Sequence, residues 1–146
     1  MRISIIAVGK VKQAGLRAEI DEYLGRIRRY ARCEEIEIKE GPDSDVAARF
    51  RKAIGERSKT VALEVGGVSW TSEQLAKFIG QCEINDVGTI ALLIGGAYGL
   101  PKQISNSADF RLSLSSMTLP HRIARLLVVE QIYRGFTILR KEPYAH

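Results

Sequence analysis

The sequence contains few of the features that would place it outside the ordinary class of small globular proteins. Its 146 residues include two cysteines, Cys33 and Cys82, too few for a disulfide framework or a cysteine metal cluster. No apolar run approaches the roughly 18 residues that a membrane-spanning helix requires. The first apolar stretch, residues 3–8, is too short for a signal peptide and predicts a buried strand. We expect one domain over residues 1–146, a reducing cytoplasmic setting and no membrane association.

Several enzyme motifs are also missing. The chain has no G-x-x-x-x-G-K-[ST] sequence and no G-x-G-x-x-G after the first strand, which argues against a P-loop and the usual dinucleotide-binding turn. It has no G-x-S-x-G nucleophile motif. The two histidines, His121 and His146, lack a Cys or His partner at a zinc-binding spacing, so we expect no metal.

The charge of the chain is unevenly placed. Basic residues outnumber acidic ones by 22 to 17, and from residue 111 onward six basic residues stand against two acidic ones. A second basic cluster near the end of the first predicted helix consists of Arg26, Arg28, Arg29 and Arg32. Such clusters indicate a polyanionic partner, most commonly nucleic acid, or a solvated surface that only aids solubility.

Apolar residues alternate between strand-like and helix-like spacing. This spacing predicts strands at 3–8, 33–39, 60–65, 89–94 and 110–114, with the fourth central and the second near an edge. It predicts helices at 19–30, 46–57, 72–81, 101–107 and 121–138. We expect Asp43, Ser44 or Asp45 to cap the second helix, and Gly66 and Gly67 to end the third strand. The alternation predicts a parallel α/β/α sandwich.

The last predicted helix is apolar on every side at residues 126–129. A sheet buries only one side of a helix that packs on it, so a second partner is expected. Another copy of the chain in a twofold dimer would supply one. The alternative is that the C-terminal tail of the same chain covers the helix.

Two loops are candidate ligand sites. The glycine-rich segment 94–100 follows the fourth strand, and ligands of open α/β sheets bind outside the carboxyl ends of the strands. Its adjacent glycines permit close approach of a ligand, or simply form a tight turn. The segment 112–121 offers hydroxyls at Ser115, Ser116 and Thr118 before a helix. It suits an adenine edge or a carboxylate, or is an ordinary loop.

Few residues are candidates for acid–base chemistry. His121 starts the last helix and is a potential base, although a capping or packing role is the common one for such a histidine. Glu130 and Arg134 are four residues apart, a spacing typical of a surface ion pair. Tyr144 and His146 follow basic residues near the end of the chain, which suits RNA binding or a frayed terminus.

Six segments, taken together, resemble one known family. They are IIAVGK (5–10), TVALEV (60–65), LIGGAYGL (93–100), LSLSSMTLPH (112–121), EQIYR (130–134) and EPY (142–144). They look like the RlmH family of large-subunit ribosomal RNA pseudouridine N3-methyltransferases, within the SPOUT superfamily. The resemblance covers essentially the whole chain, and the glycine loop and the segment before His121 are its most specific parts.

The resemblance implies a parallel α/β fold with a C-terminal trefoil knot, a homodimer, and S-adenosylmethionine as methyl donor. It implies methylation of N3 of a pseudouridine in large-subunit (23S) ribosomal RNA, on assembled ribosomes. By position, the implied cofactor contacts are Leu63, Gly95, Leu114, Ser115, Ser116, Met117, Thr118 and Leu119. The candidate catalytic residues are His121, Glu130, Arg134, Tyr144 and His146. In the family pattern a histidine usually follows the tyrosine directly, whereas here Ala145 separates Tyr144 from His146.

Two other functions are compatible with parts of the sequence. A non-catalytic RNA-binding module would use the basic C-terminal quarter and need no cofactor. A small dimeric α/β protein could instead bind another adenine nucleotide. The intact glycine loop and the 115–119 segment favour the methyltransferase, because a protein that only binds RNA has no need of a cofactor pocket.

Overall fold

The computed structural model describes residues 1–144, in which five strands alternate with five helices. The strands are β1 (Arg2–Val8), β2 (Arg32–Ile38), β3 (Ser58–Ser69), β4 (Thr89–Ile94) and β5 (Phe110–Ser113). The helices are α1 (Ala14–Ile27), α2 (Asp43–Ala53), α3 (Ser72–Ile84), α4 (Lys102–Ser107) and α5 (His121–Arg140). The predicted order of strands and helices is confirmed.

All strands are parallel and lie in the order β2-β1-β4-β3-β5. As predicted, β4 is the middle strand and β2 is at an edge. In β1, Ile3 and Ile5 belong to the apolar cluster shared with α1, α3 and α5, whereas Ile6 and Val8 belong to the cluster shared with α2 and α4. A strand covered on both faces needs apolar residues at successive positions, which explains its unbroken apolar run. The predicted α/β/α sandwich is confirmed, and the trefoil knot stays a prediction.

Two local predictions were wrong. Strand β3 does not end at Gly66 and Gly67 but continues to Ser69, with an irregular register against β5 between Leu63 and Val68. A Cβ atom on Gly67 would lie 2.7 Å from the Arg111 carbonyl oxygen, so this glycine permits close contact between the two strands.

The predicted side-chain cap of α2 was also wrong. Helix α2 begins directly after Pro42, and no side chain makes a capping hydrogen bond there. Asp43 and Asp45 instead lie within the first helical turn. In that position a carboxylate interacts favourably with the positive end of the helix dipole.

Helix α5 lies on the sheet between α1 and α3, and contacts both of them. Its buried side chains include Val128, Val129, Ile132 and Phe136. These neighbours within the chain cover the helix on several sides, so its apolar pattern does not require a second copy. Leu127, on the same helix, is 36% exposed. The homodimer stays a prediction. None of the helices described here is long and apolar enough to cross a membrane.

The guanidinium of Arg125 is buried beneath the first turns of α5, with 1% of the residue exposed. Its Nη1 donates to Glu35 Oε2 at 3.0 Å and to Glu37 Oε2 at 2.6 Å, and its Nη2 donates to the Gly9 carbonyl oxygen at 3.1 Å. Glu35 and Glu37 belong to β2, and Gly9 directly follows β1. This one side chain therefore attaches α5 to the ends of two strands.

Replacing Arg125 with Met should lower the free energy of unfolding by about 3 kcal/mol, because two partly buried carboxylates lose one of their two arginine partners and keep only Arg17. Arg122→Met, on the same helix, is the matched control. Within residues 1–144 no hydrogen bond or ion pair of Arg122 is found, so this change should alter the free energy of unfolding by less than about 0.5 kcal/mol. Urea unfolding monitored by circular dichroism measures both. Equal losses in the two variants would contradict the structural role given to Arg125.

Candidate functional site

A cleft of about 260 Å³ opens at the carboxyl end of the sheet. One wall is residues 63–66 of β3, which extend beyond the last residue paired with β4. The loop 94–100 forms a second wall. Residues of the loop 114–119, with His121 and Ala124 of α5, form the third. This is the position in which open α/β sheets bind ligands.

The glycine loop has a shape that depends on the absence of side chains. The N–H of Gly99 donates to the Gly96 carbonyl oxygen at 3.0 Å, and Gly99 has a φ of +80°. A Cβ atom on Gly95 would lie 2.3 Å from the carbonyl carbon of Gly99, closer than any real contact. Gly95 is therefore required by the tight turn itself, and this turn forms a wall of the cleft.

The serine-rich loop is fixed by its own hydroxyls. Ser113 Oγ donates to the Ser115 carbonyl oxygen at 2.8 Å, and Ser115 Oγ accepts from the Met117 N–H at 2.9 Å. Within residues 1–144, no hydrogen bond of the chain engages the backbone N–H groups of Thr118 and Leu119. These two donors remain available to a ligand.

Seven of the eight cofactor contacts that the resemblance implies line this cleft, and Ser116 does not. The seven are Leu63, Gly95, Leu114, Ser115, Met117, Thr118 and Leu119. Sequence reasoning did not single out Glu64, which also lines the cleft. The lining suits a flat apolar group with a polar edge, bound near one negative charge.

Of the candidate catalytic residues, His121 lines the cleft but three others meet elsewhere. Glu130 is nine residues further along α5, a rise of about 13 Å. Its Oε2 accepts from Arg134 Nη2 and from Tyr144 Oη, each at 2.7 Å. His146 lies outside the described residues.

The directions of the hydrogen bonds between Tyr23, Tyr144 and Glu130 can be assigned. Because Tyr144 donates its single hydroxyl proton to Glu130, Tyr23 must be the donor in the 3.1 Å contact between the two tyrosine oxygens. Burial, together with the hydrogen bond that Tyr144 donates to Glu130, raises the pKa of Tyr144. Burial acts to raise the pKa of Glu130, but hydrogen bonds from Tyr144, Arg134 and Gln131 hold that pKa below its usual value.

These contacts hold the C-terminal tail against the helices. The guanidinium of Arg134 lies 4.1 Å from the centre of the Tyr144 ring, and Tyr133 packs 5.1 Å from the same ring. Sequence reasoning missed Tyr23, which lies on the apolar side of α1. Its contact with a residue 121 positions away leaves no local signal. We define residues 23, 130, 134 and 144 as the tail cluster.

Most basic residues of the C-terminal quarter are engaged within the chain. Arg134 pairs with Glu130, and Arg140 pairs with Glu83 at 2.7 Å. Arg125 is buried, and Arg111 donates to the Ser105 carbonyl oxygen. The quarter therefore offers fewer unpaired basic side chains than its composition suggests. Within residues 1–144, no group of three or more metal-ligating side chains is found.

The comparisons with known proteins agree along the full chain. A family model described as "Predicted SPOUT methyltransferase" matches residues 1–146. The chain belongs to the SPOUT methyltransferase family. It is 51% identical to a protein named "Ribosomal RNA large subunit methyltransferase H" from Sorangium cellulosum, over 146 residues that cover 100% of both chains. Proteins of the same name from Clostridium kluyveri and Acetivibrio thermocellus are 38% and 40% identical, over 99% of both chains.

Membership of the SPOUT methyltransferase family confirms the predicted resemblance. It implies transfer of a methyl group and therefore a methyl donor. The alternative of a non-catalytic module is not favoured.

The tail cluster should stabilise the protein in a pH-dependent way. A carboxyl whose folded pKa is lowered contributes stability above its unfolded pKa of about 4.3, and loses it as the pH falls through the folded value. Glu130→Gln should therefore reduce stability at pH 7, and its deficit should shrink below about pH 4.

Urea unfolding of wild type and Glu130→Gln at pH 7, 4 and 3 measures this deficit. Glu19→Gln, an exposed change on α1, is the control and should show little effect throughout. A Glu130→Gln deficit that is independent of pH would show that the carboxylate charge does not hold the tail.

Proposed function

We propose that this chain is an S-adenosylmethionine-dependent methyltransferase that methylates N3 of a pseudouridine in large-subunit ribosomal RNA. It acts as a homodimer on assembled ribosomes in the cytoplasm, and residues 1–146 form one methyltransferase domain. Family membership and the names of the full-length relatives support this proposal. The trefoil knot that the resemblance implies belongs to the same proposal.

The observation that carries the proposal is that the implied cofactor contacts, which are far apart in the sequence, line one cleft in the folded chain. The implied cofactor contacts come from three separate segments, at residue 63, at residue 95 and at residues 114–119. In the folded chain, representatives of all three line the same cleft at the carboxyl end of the sheet. A binding module without a cofactor would have no need of this arrangement.

The residues of the cleft fit the proposed cofactor. Leu63, Leu114 and Leu119 offer apolar surface to an adenine ring, and the free N–H of Leu119 can donate to its edge. The carboxylate of Glu64 attracts a positively charged group. When bound, S-adenosylmethionine supplies an electrophilic methyl group on a positively charged sulfur.

His121 is the candidate residue placed to handle the proton. N3 of pseudouridine carries a proton near neutral pH, and it must lose that proton to act as a nucleophile. The imidazole of His121 borders the cleft and can accept a proton, which typically contributes about 10²–10⁴-fold to a rate. Holding the nucleotide in an attacking position in the cleft contributes up to about 7–11 kcal/mol.

The tail cluster has a different role in this proposal. Glu130 and Tyr144 are hydrogen-bonded to each other, and neither residue lines the cleft of its own protomer. We infer that the tail completes the site of the other copy in the homodimer. The partly exposed Leu127 and Ile138, both on α5, support contact between copies there.

Calorimetric titration with S-adenosylmethionine should show saturable binding, at up to one site per chain. Ala124→Phe places a ring in the cleft and should weaken binding by at least about tenfold, since ring and ligand compete for the same space. Ala48→Phe, an exposed change on α2, is the matched control and should bind as wild type does.

Transfer should then be measured on large ribosomal subunits that lack the methyl group, with the product nucleoside identified by mass spectrometry. Wild type and Ala48→Phe should form N3-methylpseudouridine, and Ala124→Phe should not. A folded wild type that binds no S-adenosylmethionine, or competition by ATP instead of S-adenosylhomocysteine, would contradict the proposal.

Mixed dimers test whether the tail serves the other copy. Ala124→Phe and Tyr144→Ala should each be inactive alone, the first without cofactor and the second without its tail. Co-expressed in equal amounts, they should recover roughly a quarter of wild-type activity, because half the dimers then carry one complete site of two. No recovery, with both variants dimeric and folded, would show that the tail serves its own protomer.

A further inference from the structure

We propose that the amino end of the sheet, opposite the cleft, is a second RNA contact surface. There the side chains of Arg2, Arg32 and Arg57, which we call the amino-edge arginines, bind phosphates of the RNA backbone. This inference rests on the proposed RNA substrate and adds a partner surface to it.

The amino-edge arginines line one hollow of about 520 Å³. Arg2 and Arg32 are register partners at the starts of β1 and β2. Arg57 directly precedes β3, which is separated from β2 by β1 and β4. Adjacent strands lie about 4.8 Å apart, so the arginines spread over roughly 14 Å. Glu56 is the acidic residue among those lining the hollow.

The amino-edge arginines are available to a partner. Arg2 pairs with Glu34 at 3.4 Å and Arg57 pairs with Asp86 at 3.5 Å, and all four side chains are substantially exposed. Exposed pairs of this kind contribute little stability, so a phosphate can replace the carboxylate. Within residues 1–144, no hydrogen bond or ion pair of Arg32 is found, and the residue is exposed.

The basic residues that are clustered in the sequence at residues 26–32 do not lie together in the structure. Arg26 pairs with Glu22 at 3.0 Å and lies over the ring of Tyr23, near the tail cluster. Arg28 donates to the Cys33 carbonyl oxygen. Arg32 faces the hollow instead. The proposed surface is therefore built by the sheet edge, not by the whole cluster.

The backbone at Arg57 gives a further indication. Its φ is 57°, in the left-handed region where a Cβ atom is unfavourable and glycine is preferred. The chain has an arginine at this position, although the backbone conformation there favours glycine. Such a conformation at a charged residue is consistent with a role of its side chain at this surface.

An extended polyanion fits this surface better than a single small anion does. The guanidiniums come from different places along the edge, and they match a line of phosphates. Strand β1 has seven residues, so the surface lies about 20 Å from the cleft. The contacted phosphates therefore belong to a part of the RNA other than the target nucleotide.

The test is the salt dependence of binding to large ribosomal subunits, measured by co-sedimentation with wild type and with Arg2→Gln/Arg32→Gln/Arg57→Gln. The slope of log affinity against log salt should fall by roughly 0.7–0.9 for each lost phosphate contact, so by about 2.1–2.7 for the three arginines. The affinity at low salt should fall at least about tenfold. Calorimetric binding of S-adenosylmethionine should be unchanged.

The matched control removes the same charge elsewhere, through Lys52→Gln/Lys77→Gln/Lys102→Gln at exposed sites on α2, α3 and α4. It should leave the slope within about 0.5 of wild type. An unchanged slope in the arginine variant, or an equal fall in both variants, would overturn the inference while the methyltransferase proposal stands. Wild type that neither binds subunits nor transfers methyl groups would overturn the proposed function itself.

Arg57→Gly separates RNA binding from folding. It removes the charge and also the unfavourable Cβ atom, so the melting temperature should stay unchanged or rise while the affinity for subunits falls. If this variant binds large ribosomal subunits with the affinity of wild type, Arg57 does not contact the RNA.

Discussion

The buried guanidinium of Arg125 connects helix α5, which carries the candidate catalytic residue His121 and the residues Glu130 and Arg134 of the tail cluster, to β2 and to the end of β1. Taking a charge out of water is costly, and two carboxylates of β2 with the Gly9 carbonyl oxygen offset that cost. Arg17 of α1 also bonds Glu35, at 2.6 Å, so the same carboxylates hold two helices. Helix α5 begins at the cleft, and its later turns carry Glu130, which accepts from the tail. A fixed α5 therefore sets the positions of the cleft wall and of the tail cluster at two separate places along one helix.

The alternation of strands and helices could be predicted because it depends on residues close in sequence. The predicted bounds of β4, residues 89–94, match the structure because its unbroken apolar run ends at Gly95. The end of β3 and the burial of Arg125 were not predicted, because both depend on residues far away in the sequence. Gly67 suggests the end of a strand until the Arg111 backbone is seen to lie against it. Arg125 counts as one more positive charge in the C-terminal quarter, and nothing near it in sequence shows that it is buried.

The candidate site was predictable to the extent that its loops have a distinctive local composition. Adjacent glycines and clustered hydroxyls mark the walls of the cleft, and the resemblance supplied the cofactor positions. The spacing of Glu130 and Arg134 predicts their ion pair. It does not show that Tyr144 returns to the same carboxylate, because the turn that brings the tail back begins at Lys141, whose φ is 54°.

Helix dipoles account for some of the positive charge at the amino end of the sheet, but not for the amino-edge arginines. Helix α1 crosses from β1 to β2, and α5 runs back from the carboxyl end of the sheet, so the negative ends of both helices lie at this edge. Arg28 follows α1 and Arg140 ends α5, where such charges are favourable. Arg2 and Arg32 instead begin strands, and Arg57 is in a loop. Glu34 and Asp86 pair with two of these arginines only at the exposed surface, and Glu56 lines the same hollow, so the phosphates of an RNA backbone compete with these carboxylates for the arginines.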